Sequence, residues 1–190
     1  MTETSSVLCD DNAIQRVLAA AQTDSQHGVE TIDALLGEFP DDPRLHFLRG
    51  SLLIEVQRFI EAHGALSRAL AIAPDYHIAR FQLGLFELTS GESEAASATW
   101  APLKRLSRGD ALSMFVDGLE HLMADRFERC IASLREGIAA NDENLPLNSD
   151  MELVIEQCEA LIAMRPPARE EADPADTVSM TSFLLRSLKD

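Results

Sequence analysis

Aromatic residues are scarce in this chain. They make up 5% of 190 residues, with one tryptophan and one tyrosine, while alanine and leucine dominate an apolar fraction of 46%. That balance suits packed helices better than sheets, which favour β-branched and aromatic side chains, and it is too apolar for a globally disordered chain. Cysteine is scarce too. Cys9, Cys130 and Cys158 are odd in number and widely spaced, which does not suggest a disulfide framework. Cys130 and Cys158 fall at apolar helical positions, where a free thiol acts as a small hydrophobe, and a reducing, cytoplasmic setting is expected. Positive charge is in deficit: 16 Lys and Arg stand against 32 Asp and Glu, a formal net charge of −16. Such a chain repels nucleic-acid phosphates and anionic lipid surfaces. Its acidity serves solubility first and could also steer a basic partner. The N-terminus, MTETSSVLCDDN, lacks the basic and apolar regions of a signal peptide. No apolar run approaches the roughly 20 residues that span a bilayer, so neither nucleic acid nor membrane is an expected partner.

What the chain does have is a repeat. Windows 43–76, 77–110 and 111–144 align without gaps at a period of 34. Gly50, Gly84 and Gly118 share one column and Phe47, Phe81 and Phe115 another. Ala62, Ala96 and Cys130 form a small column; Leu66, Trp100 and Leu134 form a large one. The pattern predicts two antiparallel helices per repeat. The small residues would let the paired helices approach, and the large residue would fill the gap to the next repeat. One such pair cannot bury its apolar face alone, so pairs stack.

These columns, and above all the segment PDYHIARFQLG at residues 74–84, resemble a tetratricopeptide repeat of the generic bacterial type. The resemblance implies an all-α, right-handed α-solenoid of helix-turn-helix repeats with terminal capping helices, whose first helices line a concave, peptide-binding groove. It covers about 100 of the 190 residues clearly.

The frame extends backwards over residues 9–42 as a degenerate repeat, after a disordered N-terminus at 1–8. Pro40 matches Pro74, each ending a second helix, but Arg16 replaces the glycine and Gly28 the alanine. Forwards, residues 145–164 read as a C-terminal capping helix. Ser149 and Glu152 form a capping-box pattern ahead of Met151, Val154, Ile155, Cys158, Leu161 and Ile162 at helical spacing. The middle repeat departs from the pattern. Ser93 stands where Phe59 and Phe127 do, Leu103 stands where Ala69 and Gly137 do, and Ala101-Pro102 falls inside its second helix. Proline removes a backbone donor there, so a kink or a shortened helix is expected.

After Met164 the composition shifts. Residues 165–176 are rich in proline and charge and read as a linker. Residues 177–190 form an apolar segment, expected to be helical, with Met180, Phe183, Leu184 and Leu188 on one face. A helix this short is marginal alone in water. It needs something to pack on, whether the solenoid's flank, a groove of its own chain or of a second copy, or a separate partner; otherwise it is disordered. The linker spans up to about 40 Å when extended, long enough for the tail to cover a groove of its own chain.

The resemblance places the groove on the first helix of each repeat. By column its candidate residues are Arg44, Phe47, Ser51 and Ile54; Ile78, Phe81, Leu85 and Leu88; and Leu112, Phe115, Leu119 and Leu122. A face this apolar is usually a binding site or is covered, although several of these residues also suit the inter-repeat core. The phenylalanines are expected to be exposed, since neighbouring columns supply core. Burying four or five such side chains contributes roughly 1.5–3 kcal/mol each, against about 4–15 kcal/mol for association and ordering. Micromolar binding of an amphipathic helix or apolar peptide follows. Some tetratricopeptide domains clamp an acidic peptide terminus with Lys, Asn and Arg. The corresponding positions here are Phe47, Ser51, Gln82, Leu112 and Val116, which carry no cation, so that specificity is not expected.

Catalytic and metal constellations are not legible. His27, His46, His63, His77 and His121 offer no metal-ligand spacing. Asp117 and His121 are four apart on one helix, as local electrostatics would place them. Lys104, Arg105 and Arg108 cluster near a helix C-terminus, where cations oppose the dipole favourably, a reading preferred to a phosphate site. No phosphate loop or nucleophile elbow is present, so no cofactor, no metal and no enzymatic activity are expected. The sequence reads as a protein-interaction adaptor or scaffold whose partner is another protein. A secretion-type chaperone holding an unfolded client is the alternative, since the chain resembles the small, acidic three-repeat chaperones of type III secretion in size and charge. A weak homodimer is also expected.

Overall fold

The 34-residue columns become recurring helix boundaries. The structure, a computed structural model, describes residues 8–107 and 109–164. Outside it lie the N-terminal residues 1–7, Arg108, the linker 165–176, and the segment 177–190 with Met180, Phe183, Leu184 and Leu188. The described residues form nine α-helices and one 3-10 turn, with no strand among them. The helices are α1 (Asp11–Thr23), α2 (Ser25–Glu38), α3 (Pro43–Glu55), α4 (Phe59–Ile72), α5 (His77–Thr89), α6 (Ser93–Trp100), α7 (Ala111–Met123), α8 (Phe127–Ala140) and α9 (Leu145–Met164); the 3-10 turn is Leu103–Arg105. First helices begin at 43, 77, 111 and 145, and second helices at 25, 59, 93 and 127, each one period after the last.

Local chemistry sets these boundaries. Side chains immediately before the first helices accept from otherwise unpaired amides. Asp42 accepts from the Arg44 amide at 2.9 Å, Asp110 from those of Leu112 and Ser113 at 3.0 and 3.2 Å, and Asn144 from that of Leu147 at 3.4 Å. Each such cap contributes about 1 kcal/mol. The turn between first and second helix also repeats. Gln57, Gly91 and Asp125 all adopt left-handed backbone, φ 59°, 89° and 52°. The next amide then donates back to the carbonyl five residues earlier: Arg58 to Leu53 at 2.8 Å, Glu92 to Glu87 at 2.9 Å, Arg126 to His121 at 2.9 Å. This six-to-one closure stops the helix while pairing its last carbonyls. α2 and α4 both end two residues before a proline, Pro40 and Pro74, as the sequence suggests.

Two compact units are present, Met1–Leu83 and Gly84–Asp190, with the boundary inside α5. In the first, α1 packs on α2, α2 on α3 and α3 on α4. Ala13, Val17, Val29, Ile32, Leu45, Leu53 and Ala62 are buried between them. Gly28 lets α2 close on its neighbours: a β-carbon there would sit 2.7 Å from Leu52 Cδ1 and 2.8 Å from Ala21 Cβ. The degenerate repeat therefore still builds a helical hairpin.

In the second unit α6 and the 3-10 turn pack on α7, α7 on α8 and α8 on α9. α6 has only eight residues and ends at Trp100, just before Ala101-Pro102, as the missing proline donor requires. The break explains Leu103. In α8 the same column holds Gly137, whose bare backbone receives the Phe115 ring. Because α6 has already ended, Leu103 instead buries itself completely from a 3-10 turn. Cys130 of α8 and Cys158 of α9 are both fully buried, their sulfurs 3.8 Å apart. The hydrogen bond between them, with burial, pushes the Cys130 thiol well above its ordinary pKa.

The large column packs against the glycine of its own pair. A β-carbon on Gly50 would lie 2.6 Å from Leu66 Cγ, one on Gly118 would lie 2.6 Å from Leu134 Cδ2, and one on Gly84 would overlap the Trp100 indole. Antiparallel pairing brings the residue sixteen positions later opposite the glycine. A sequence expectation is corrected at α9: the Ser149–Glu152 pair is not its cap, since the helix already runs from Leu145. Ser149 is exposed inside the helix. Asn144 takes the capping role, with Asn141 Nδ2 donating to the Asn144 carbonyl and to Asn148 Oδ1, both at 2.7 Å.

Candidate partner-binding face

The twelve candidate residues on the first helices separate by burial. In the first unit Phe47, Ser51, Ile54 and Ile78 stay partly exposed, while Phe81 is fully buried. Phe47 tilts against Tyr76, ring centroids 5.4 Å apart at 59°, an edge-tilted contact favoured by the ring quadrupoles. Burial raises the pKa of Tyr76, with Arg44 and Asp42 exerting smaller opposing influences. Ser51 Oγ donates to the Phe47 carbonyl at 3.3 Å, so its hydroxyl is already engaged with its own helix.

Arg44 is not a free groove cation. Its guanidinium donates to Asp42 at 2.8 Å and 3.1 Å, to Asp11 at 3.1 Å and to the Cys9 carbonyl at 2.7 Å. Asp42 is fully buried and also accepts from the Cys9 amide at 3.0 Å. Burial pushes the Asp42 carboxyl up, but the hydrogen bonds from Arg44 and Cys9 outweigh it and hold the pKa at about 2. The Cys9 thiol is pushed up to about 11, by burial first and then by the neighbouring Asp42. This network ties the start of α1 to the start of α3.

In the second unit Leu85 and Leu112 are partly exposed, whereas Leu88, Phe115, Leu119 and Leu122 are buried. The expectation that the phenylalanines face solvent therefore fails at Phe81 and Phe115, both 0% exposed. For Phe115 the cause is Gly137: a β-carbon there would come within 2.6 Å of the Phe115 ring. The ring fills the space beside that glycine and belongs to the α7–α8 contact. What stays partly exposed is a sparser set: Phe47, Ile78 and Ile54, the last packed against the core, in one unit, and Leu85 and Leu112 in the other.

The structure also presents features that the sequence columns did not single out. Ile60, second residue of α4, is 91% exposed. A cleft of about 380 Å³ lies between α8 and α9, lined by Arg135, Ile138, Ala139, Glu152, Ile155, Glu156 and Glu159. Arg135 and Glu159 pair across it at 2.7 Å. The signal for this cleft was in the frame all along, since Glu152 occupies the column of Gly50, Gly84 and Gly118. Lys104 pairs with Glu120 at 2.5 Å, which leaves it less suited to an anion. Among the described residues no three His, Cys, Asp or Glu side chains are grouped to hold a metal ion, and no helix is long and apolar enough to cross a membrane.

Comparison with known proteins agrees with the architecture. The chain is similar to MamA, residues 41 to the end, from Desulfovibrio magneticus RS-1, with a TM-score of 0.55 and 12% identity over 83% of this chain and 99% of that one. It is likewise similar to a MamA RS-1 ArsTM double mutant, with a TM-score of 0.54 and 13% identity over 82% of this chain and 99% of that one. No family model matches the chain, and no curated protein does. The fold is thus all-α, built of repeated helical pairs.

Proposed function

We propose that the chain is a non-catalytic protein-interaction module, of the generic tetratricopeptide kind, that holds an amphipathic helix or apolar peptide of another protein. The observation that carries this reading is the partial exposure of Phe47, Ile54, Ile78, Leu85 and Leu112 on first helices, while other positions of the same columns, Phe81, Leu88, Phe115 and Leu122 among them, supply the core. Apolar side chains that keep part of their surface exposed on a first helix suit a partner that brings its own apolar stripe. Few and only partly exposed, they favour modest affinity.

The test is affinity capture with the native chain and a Leu85→Glu/Leu112→Glu variant, both checked for helix content by circular dichroism. A protein retained by the native chain and lost by the folded variant supports the reading. Equal retention by both would place the binding surface elsewhere.

A further inference from the structure

α9 does not end where the first helices before it end. The turn column of Gln57, Gly91 and Asp125 falls on Glu159, yet α9 continues through it to Met164. No second helix follows α9 among the described residues. On α3 and α7 the side bearing Gly50 or Gly118 is covered by the second helix of the pair, α4 or α8. The same side of α9 bears Glu152 and opens into the cleft, with Ile155 and Ile138 as apolar floor and Glu152, Glu156 and Glu159 around it.

We propose that residues 177–190 of the same chain seat in this cleft as a detached second helix for α9. Three observations converge on that occupant. The segment is 14 residues long, the length of α2, α4 and α8, and carries Met180, Phe183, Leu184 and Leu188 on one face. Its two cations, Arg186 and Lys189, complement a rim of three glutamates of which Glu159 is paired with Arg135. The connection also reaches. From Met164 back to Glu159 and Glu152 is about 8–18 Å along the helix, and the twelve intervening residues 165–176 span up to about 40 Å. Glu152 bars the tight approach that glycine permits in the earlier pairs. The segment therefore lies less deeply than α4 or α8 and stays a separable helix at the end of a linker.

Hydrogen exchange on the full-length chain, read by mass spectrometry, tests this. A helix of 14 residues alone in water is marginal, so its amides are protected only if it is docked. The expected result is at least about tenfold slowing across 177–190 relative to unstructured exchange rates, unchanged on dilution. In a full-length Phe183→Asp/Leu184→Asp variant that slowing should vanish and exchange across 152–159 should rise, with α7 unaffected. An Arg186→Glu variant should weaken the protection, and adding Glu156→Arg should restore it. Unprotected amides at 177–190 in the native chain would overturn the proposal. So would unchanged exchange at 152–159 in the double variant. Protection that disappears on dilution would replace it with docking onto a second copy.

Discussion

The Trp100 indole fills the space that a β-carbon on Gly84 would need. Trp100 is fully buried, and its rigid bicyclic ring has no small rotation that clears a methyl group. Gly84→Ala gains up to about 1 kcal/mol of helix propensity but overpacks by about 1–3 kcal/mol or more. A net loss, read as a lower urea midpoint, is expected. Gly118 meets Leu134 Cδ2 and Cγ instead, atoms of a side chain that can rotate. Gly118→Ala should therefore cost less than Gly84→Ala, and the reverse order would contradict the packing described.

Gly64 offers the opposite sign for the same substitution. It lies inside α4, is exposed, and a β-carbon there would meet nothing within 4 Å. Gly64→Ala should raise stability by roughly 0.5–1 kcal/mol, through helix propensity and a less flexible unfolded chain. A thermal melt that shifts downward would contradict this.

The left-handed turn column makes a backbone prediction free of packing. Gly91 is exposed, with φ 89° and nothing near its absent β-carbon. Gly91→Ala should destabilise by about 1 kcal/mol from backbone strain alone. Gln57→Gly acts at the equivalent turn, where a side chain already tolerates φ 59°. Relief of strain and added unfolded-state freedom offset one another there, so the urea midpoint should move little.

Asp42 confers acid sensitivity. Its folded pKa of about 2 lies below the ordinary 3.8, so its stabilising contribution is complete above pH 3.8 and is lost as pH falls through about 2. Melting temperature against pH should fall more steeply in that window for the native chain than for Asp42→Asn. At neutral pH Asp42→Asn should cost roughly 1–3 kcal/mol, since Arg44 loses its buried charged acceptor. Equal acid slopes for the two proteins would dissociate Asp42 from the effect.

Much of the architecture was legible because a fixed 34-residue period places chemically similar residues at the same station of each pair. The break at Pro102 could be anticipated from proline's missing donor, and the close approach at Gly50 from residue size, though not that Leu66 is what meets it. Burial on the first helices was not. Whether Phe115 faces solvent depends on Gly137, twenty-two positions away on another helix, a pairing that spacing along one helix face does not reveal. The turn column also escaped notice, since Gln57, Gly91 and Asp125 share a backbone conformation but no side-chain character. Arg44 was placed on a binding face because its column suggested it, but its partners Asp11 and Cys9 lie 33 and 35 residues away.

α9 passes through Glu159 without the left-handed turn that closes the three earlier first helices. Three times the described chain bends at this station, and at the fourth it runs on, so α9 carries its carbonyls forward into further helix rather than into a six-to-one closure. Each pair depends mainly on its near neighbours. A second copy of residues 111–144 placed in tandem would therefore bring its own cap at the residue before its first helix and its own closing turn, and would leave the start of α9 at the same station of the 34-residue frame.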